Sequence, residues 1–333
     1  MTNSVPVTII TGFLGSGKTT LLNRLLKLPR LADTAVIVNE LGEIGIDHHL
    51  IEQAVENAVL MKNGCICCTV RGDIADTLEL LWEQRDRGEI PFFRRIAIET
   101  TGLADPGPVA HTLVEAGARY ACRLDGIVTT VDALHGAGQL LAQEEARRQV
   151  ALADRILLTK TDLADPEAAA ALESRMRALN QAAPIRRSLM GEIDPDEIFG
   201  LGPAPGAADA RIARWLAAEP HAHAGDHDHF RHDHGIESVV LRAARPVARA
   251  ALQRWLESLL SLRGRDVLRL KGLVALEGAA RPLVLQGVQH VLHPPIFLDR
   301  WPIQPPATEL VLITRGLPRR GLEESFAAAV GSE

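Results

Sequence analysis

At 333 residues, with 47% of them hydrophobic, the chain is long enough for two domains and can bury a large core. A formal net charge of −6 with no Lys/Arg block to neutralise phosphates excludes a nucleic-acid surface as the expected partner. No apolar run approaches about 18 residues, and Met1–Ser4 leads straight into a strand, so a cytoplasmic protein with no membrane partner is expected. Four cysteines, three of them between Cys65 and Cys68, are too few and too crowded for a disulfide framework.

The first predicted strand is the β-branched run Val5 to Thr11. It runs into Gly12-Phe13-Leu14-Gly15-Ser16-Gly17-Lys18-Thr19 and then a helix marked by Leu21, Leu22, Leu25 and Leu26. Strand, glycine-rich turn and helix in this order make a phosphate-binding loop. Glycines allow backbone N–H groups to converge on an anion where a Cβ would clash. Lys18 supplies a point charge for the β/γ-phosphates, and Thr19 a hydroxyl for Mg2+. The nucleotide contacts expected here are Gly12, Gly15, Ser16, Gly17, Lys18, Thr19 and Thr20.

Ala35–Val38 reads as a buried strand, followed by an acidic, glycine-punctuated loop, 39–47, placed to act as a switch. Glu40 and Glu43 in that loop are further candidate metal oxygens. Val55 to Met61 reads as a strand that turns at Asn63-Gly64 into Cys65-Ile66-Cys67-Cys68. With thiols at i, i+2 and i+3, at least two can reach one ion from a tight, non-helical turn. Thiolates select Zn2+ or Co2+, and a tetrahedral ion then needs a ligand from outside the motif. Cys122, alone, reads as a packing residue.

Asp73 to Arg87 has helical spacing with Gly88 as its stop. Arg95–Ile98 is an apolar strand ending in Glu99-Thr100-Thr101-Gly102. Glu99 can hold Mg2+ or order its waters, and Gly102 lets an N–H approach a γ-phosphate. Lys18, Glu99 and Gly102 are therefore the expected catalytic set. A helix from Pro106 to Gly117 and a strand from Leu124 to Val131, closed by Asp132, follow. The strand Arg155–Leu158 then delivers Thr159-Lys160-Thr161-Asp162, in which Asp162 can accept two hydrogen bonds from guanine while Lys160 lies along the base, selecting GTP over ATP. Pro166–Asn180 reads as a helix and Pro184–Ser188 as a last strand.

A Gly-, Pro- and Ala-rich stretch then leads to a tract carrying His221, His223, His227, His229, His232 and His234, six of the twelve histidines. Such a tract cannot form a core and reads as a mobile loop with weak affinity for divalent metal, or as a solvated linker. From residue 236 the pattern changes to short strands with one or two helices, suggesting a small α+β domain with a mostly antiparallel sheet; no catalytic constellation is found there. The expected organisation is an α/β P-loop NTPase domain with a mainly parallel sheet over 1–218, a His-rich linker over 219–235, and the smaller α+β domain over 236–330.

Gly12–Thr19, Asn39-Glu40 with Gly42-Glu43 and Gly45, Gly64–Cys68, Glu99–Gly102 and Thr159–Asp162, in this order, resemble the CobW-like family of P-loop GTPases. Leu268–Gly272 and Trp301 are similar to that family's second module. One departure is Thr159, where many GTPases carry Asn. The resemblance implies a GTPase metallochaperone that holds zinc, or cobalt, on Cys65, Cys67 and Cys68 and hands it to a client protein. A homodimer stays open, and so does a zinc buffer or sensor built on the histidine tract.

Overall fold

The computed structural model describes residues 4–39, 59–60, 66–70, 74–202, 235–302 and 305–331. They fall into two compact units. The first takes Met1–Gln149, Arg155–Ala169 and Ile185–Gly200; the second takes Val150–Asp154, Ala170–Pro184 and Leu201–Glu333. Among the described residues no helix is long and apolar enough to cross a membrane.

The first unit is built on an eight-stranded sheet of β1 (Val5–Gly12), β2 (Thr34–Asn39), β3 (Val59–Leu60), β4 (Ile66–Val70), β5 (Arg95–Glu99), β6 (Cys122–Asp132), β7 (Arg155–Thr159) and β8 (Ile185–Ser188). The order across it is β3-β4-β2-β5-β1-β6-β7-β8. All the strands are parallel except β3, which is antiparallel to β4. The central strands β1, β5 and β7 are buried along almost their whole length, as expected of parallel strands covered on both faces. Helices α1 (Lys18–Leu25), α2 (Ile74–Asp86), α3 (Pro106–Tyr120), α4 (Gly136–Ala142), α5 (Glu144–Leu152) and α6 (Pro166–Leu179) connect them. α3 starts where Asp105 caps it, accepting from Gly107 N at 2.8 Å, with Pro106 at its first position. Neither α4 nor α5 was expected from the sequence.

One expectation is corrected here. The cysteine motif was read as a tight turn, but Cys67 and Cys68 lie in β4, paired in register with Val36 and Ile37 of β2. Ile66, Thr69 and Val70 are β-branched, and a neighbouring edge was available to pair with them. Cys65, the loop with Glu40 and Glu43, and His221–His234 lie outside the described residues. Cys122 is buried and its thiol is pushed up to about 11 by burial, consistent with a packing role.

The second unit centres on a six-stranded antiparallel sheet of β9 (Ile236–Ala243), β10 (Val267–Val274), β11 (Leu283–Val288), β12 (Val291–Leu292), β13 (Ile296–Phe297) and β14 (Thr308–Arg315). Helices α7 (Arg249–Arg263) and α8 (Arg319–Val330) contribute Leu252, Trp255, Leu322 and Phe326 to a core shared with Val267, Leu270 and Val274 of β10. The Trp255 and Phe326 rings meet edge to face at 5.0 Å.

Arg269 and Lys271 alternate with Leu270 along β10 and are also buried. Arg269 Nη2 donates to Asp154 Oδ1 at 2.6 Å, and Lys271 Nζ to Ala182 O at 3.1 Å. Asn180 holds the same segments together, its Nδ2 donating to Val150 O, Ala151 O and Ala153 O. Beside them His293 Nδ1 meets Gln286 Nε2 at 2.8 Å. Burial, aided by Arg269 and opposed by Asp154, pushes His293 down to about 4.

This has a measurable consequence. An unfolded histidine titrates near 6.5, so between about pH 6.5 and 4 the unfolded chain binds a proton that the folded one does not. The His293 contribution is complete above that window and falls as pH drops through it, by about 2 kcal/mol at pH 5. Denaturant midpoints at pH 7.5 and pH 5 should therefore differ more for the wild type than for His293→Gln. Equal differences would refute the burial of a neutral imidazole.

Candidate functional site

β1, β5, β6 and β7 are parallel neighbours, so their carboxyl ends open at one end of the sheet. The loop Gly12–Gly17 leaves β1, Thr100–Gly102 leaves β5 and Lys160–Asp162 leaves β7, so the expected nucleotide motifs converge there.

The loop's path needs its glycines. Gly12 has φ 143°, and a Cβ there would lie 2.3 Å from both Thr130 O and Thr130 Oγ1. Thr130 Oγ1 donates to Thr11 O at 3.2 Å, which leaves Ser16 Oγ as the donor to Thr130 Oγ1 at 2.7 Å. The Ser16 hydroxyl thus anchors the loop to β6. Lys18 Nζ folds back on the loop, donating to Gly12 O at 2.8 Å and Phe13 O at 3.2 Å. Burial holds its ammonium below the usual lysine range, with Glu99 acting in the opposite direction.

Thr19 Oγ1 donates to Glu99 Oε1 at 2.7 Å. A hydroxyl and a buried carboxylate side by side are hard oxygen donors of the kind that fit Mg2+. Thr20 is exposed on the first turn of α1. Gly102 approaches the phosphate loop so closely that a Cβ would lie 2.8 Å from Leu14 N and 2.9 Å from Leu14 Cα.

At the far side, Thr159 Oγ1 donates to Ser16 O at 2.8 Å and Val131 O at 3.1 Å. Threonine in place of asparagine therefore still ties this turn to the phosphate loop. Lys160 Nζ reaches Gly15 O and Asp132 Oδ2, both at 2.7 Å, and these contacts support its left-handed backbone, φ 54°. Leu163 N donates to Lys160 O at 3.0 Å, closing a turn on which Asp162 is exposed. β8 pairs Ser188 with Thr159, so Leu189 and Met190, both exposed, follow the strand end beside the Thr159–Asp162 turn.

Asp132, Thr130 and Gln149 were not among the expected site residues. Asp132, followed by two N–H groups that it accepts, Leu134 N at 2.8 Å and His135 N at 3.3 Å, carries a local Asx-turn signal that could have been read. Thr130 is a long-range contact with no local signal. Among the described residues no group of three His, Cys, Asp or Glu side chains is arranged to hold a metal ion; Cys65 and the histidines from His221 to His234 lie outside them.

Residues 6–187 match the family model "CobW/HypB/UreG, nucleotide-binding domain", and 236–330 match "Cobalamin synthesis protein cobW C-terminal domain". The chain belongs to the CobW family. Within the CobW family it is 35% identical over 330 residues to the zinc chaperone YjiA of Escherichia coli, covering 98% of each chain. It is 34% identical over 318 residues to the zinc chaperone CobW of Pseudomonas aeruginosa, covering 85% of this chain and 80% of that one. The crystal structure of the zinc-bound YjiA GTPase from E. coli superposes with a TM-score of 0.77 at 32% identity, over 98% of this chain and 99% of that one. The expected fold class, a P-loop domain with a mainly parallel sheet followed by a smaller α+β domain, therefore holds for this CobW-family chain.

Proposed function

We propose that this chain is a GTP-hydrolysing metallochaperone that holds zinc on Cys65, Cys67 and Cys68 and passes it to a client protein, with cobalt as the other ion this donor set accepts. The observation that carries this reading is the convergence of Lys18, the Thr19–Glu99 pair, Gly102 and the Thr159–Asp162 turn at one end of the sheet. Lys18 moves from its own loop carbonyls to the β/γ-phosphates. Asp162 accepts the guanine N–H groups, and Lys160 lies along the base. Glu99 and Thr19 would hold Mg2+, which supplies charge neutralisation at the phosphates when bound. Gly102 N–H takes the γ-phosphate. The names of the relatives, zinc chaperones and a GTPase, support the same reading.

Backbone register favours coupling between the two ligands. Cys68 pairs with Ile37 and Ile37 with Ile98, so the cysteine strand lies two strands, about 10 Å, from the residue preceding Glu99. A change at Glu99–Gly102 on binding GTP then reaches β4 through β2 alone. GTP with Mg2+ and the metal should each tighten the other by about 1–3 kcal/mol, roughly five- to 150-fold, and linkage requires the two effects to be equal. Zn2+ titrated against a chelator without nucleotide, with GDP, and with a non-hydrolysable GTP analogue tests this. A variant lacking residues 220–234 removes the histidine tract from the reading. Three equal affinities would reject gating by GTP; loss of most bound zinc on deleting the tract would favour a buffer.

A further inference from the structure

α5 takes no part in the nucleotide motifs, yet two consecutive residues on it grip the segment that carries Gly102. Gln149 is fully buried, and its Nε2 donates to Gly102 O at 3.1 Å and to Ala104 O at 3.0 Å. Its backbone carbonyl is fixed in turn, accepting from Thr129 Oγ1 of β6 at 2.7 Å. Arg148 Nη1 donates to Asp105 Oδ2 at 3.0 Å, while its Nη2 is held by Glu144 Oε1 at 2.7 Å. Asp105 also caps α3.

The segment from Gly102 to Asp105 is otherwise held at its two ends, by the close approach of Gly102 to Leu14 and by the Asp105 cap on α3. Ala104 N donates to Thr101 O at 3.2 Å, and Leu103 points outward with 55% exposure. A flexible loop that must present one N–H to a phosphate loses that geometry unless its other polar groups are tied down. A primary amide is suited to the task, since one NH2 group supplies two donors to two carbonyls two residues apart. A buried amide whose two donors both serve a single loop is a costly arrangement for packing alone.

We propose that α5 is a clamp, with Gln149 and Arg148 as positioning residues that hold Gly102–Asp105 ready for a γ-phosphate. This rests on the nucleotide reading given above. The clamp acts on the phosphate that distinguishes GTP from GDP, because both amide donors of Gln149 go to the Gly102–Asp105 segment. Gln149→Glu puts a carboxylate oxygen against two carbonyls, and Gln149→Met keeps the volume without the donors. Either should lower affinity for a non-hydrolysable GTP analogue and kcat by roughly ten-fold, the scale of two lost hydrogen bonds, while GDP affinity stays within about two-fold. Arg148→Gln, at a partly exposed position, should move the same ratio in the same direction by about three-fold, and it serves if the Gln149 variants do not fold.

Nucleotide affinities by fluorescence and single-turnover hydrolysis are measured together with the thermal midpoint. A lowered midpoint with an unchanged GTP-to-GDP affinity ratio and unchanged kcat in every folded variant would make Gln149 and Arg148 merely structural and overturn the clamp. Failure of the wild type to bind GTP at all would instead overturn the nucleotide reading, so the two failures are told apart.

Discussion

Lys18→Ala is expected to reduce affinity for GTP by about 1.5–3 kcal/mol, roughly ten- to 150-fold, the range of a charge-assisted hydrogen bond. The ammonium is already gathered against Gly12 O and Phe13 O, so it needs only a short movement to meet phosphate oxygens entering the loop. Its partial burial raises the worth of that exchange, because an anion relieves the cost of keeping a positive charge away from water. GDP and GTP should both suffer, since the β-phosphate is common to them. A fluorescent guanine nucleotide titrated against the variant provides the measurement. Affinity within two-fold of wild type would remove the phosphate-loop assignment.

Gly102→Ala should separate binding from hydrolysis. The added Cβ would sit 2.6 Å from Leu14 Cδ2, which can rotate away, but also 2.8 Å from Leu14 N, which cannot. The segment after β5 must then withdraw from the phosphate loop, taking the Gly102 N–H with it. Loss of one preoriented donor to the developing charge costs on the order of 100-fold in kcat. GDP affinity should change by no more than about three-fold, because the contacts to Lys18, Ser16 and Thr159 are untouched. Phosphate release under single-turnover conditions decides the matter; a wild-type rate would mean that Gly102 is not at the γ-phosphate.

Much of this was legible in the chain because parallel strands buried on both faces read as short apolar runs, and β1, β5 and β7 are such runs. The glycines of the phosphate loop are legible for a steric reason that the contacts around Gly12 make explicit. What stayed hidden depended on partners distant in sequence. α4 opens with Gly136 and Gly138, poor helix formers that offset Ala137 between them, and α5 carries Glu144, Glu145, Arg147 and Arg148 in its first turns, so neither gave a clear apolar stripe. The cysteine motif looked like a turn because three thiols in four positions suggested an ion, whereas the backbone of Cys67 and Cys68 follows the pairing edge offered by β2. Lys160 is held by Asp132, 28 residues earlier in the chain, and no local pattern announces that pairing.

The position of β1 in the sheet bears on how the protein is made. β1 leaves the ribosome well before its neighbours β5 and β6, so Val7 waits for Ile96 on one side and Leu124 on the other. At 5–20 residues per second the second neighbour is synthesised roughly 5–25 s after the first strand. Through that interval Val7, Ile9 and Ile10, all fully covered in the finished fold, have no permanent place to go. The nascent chain therefore presents a β-branched apolar segment for which holding chaperones compete, and nucleotide can help the fold only after Thr130 and Asp132 have been added.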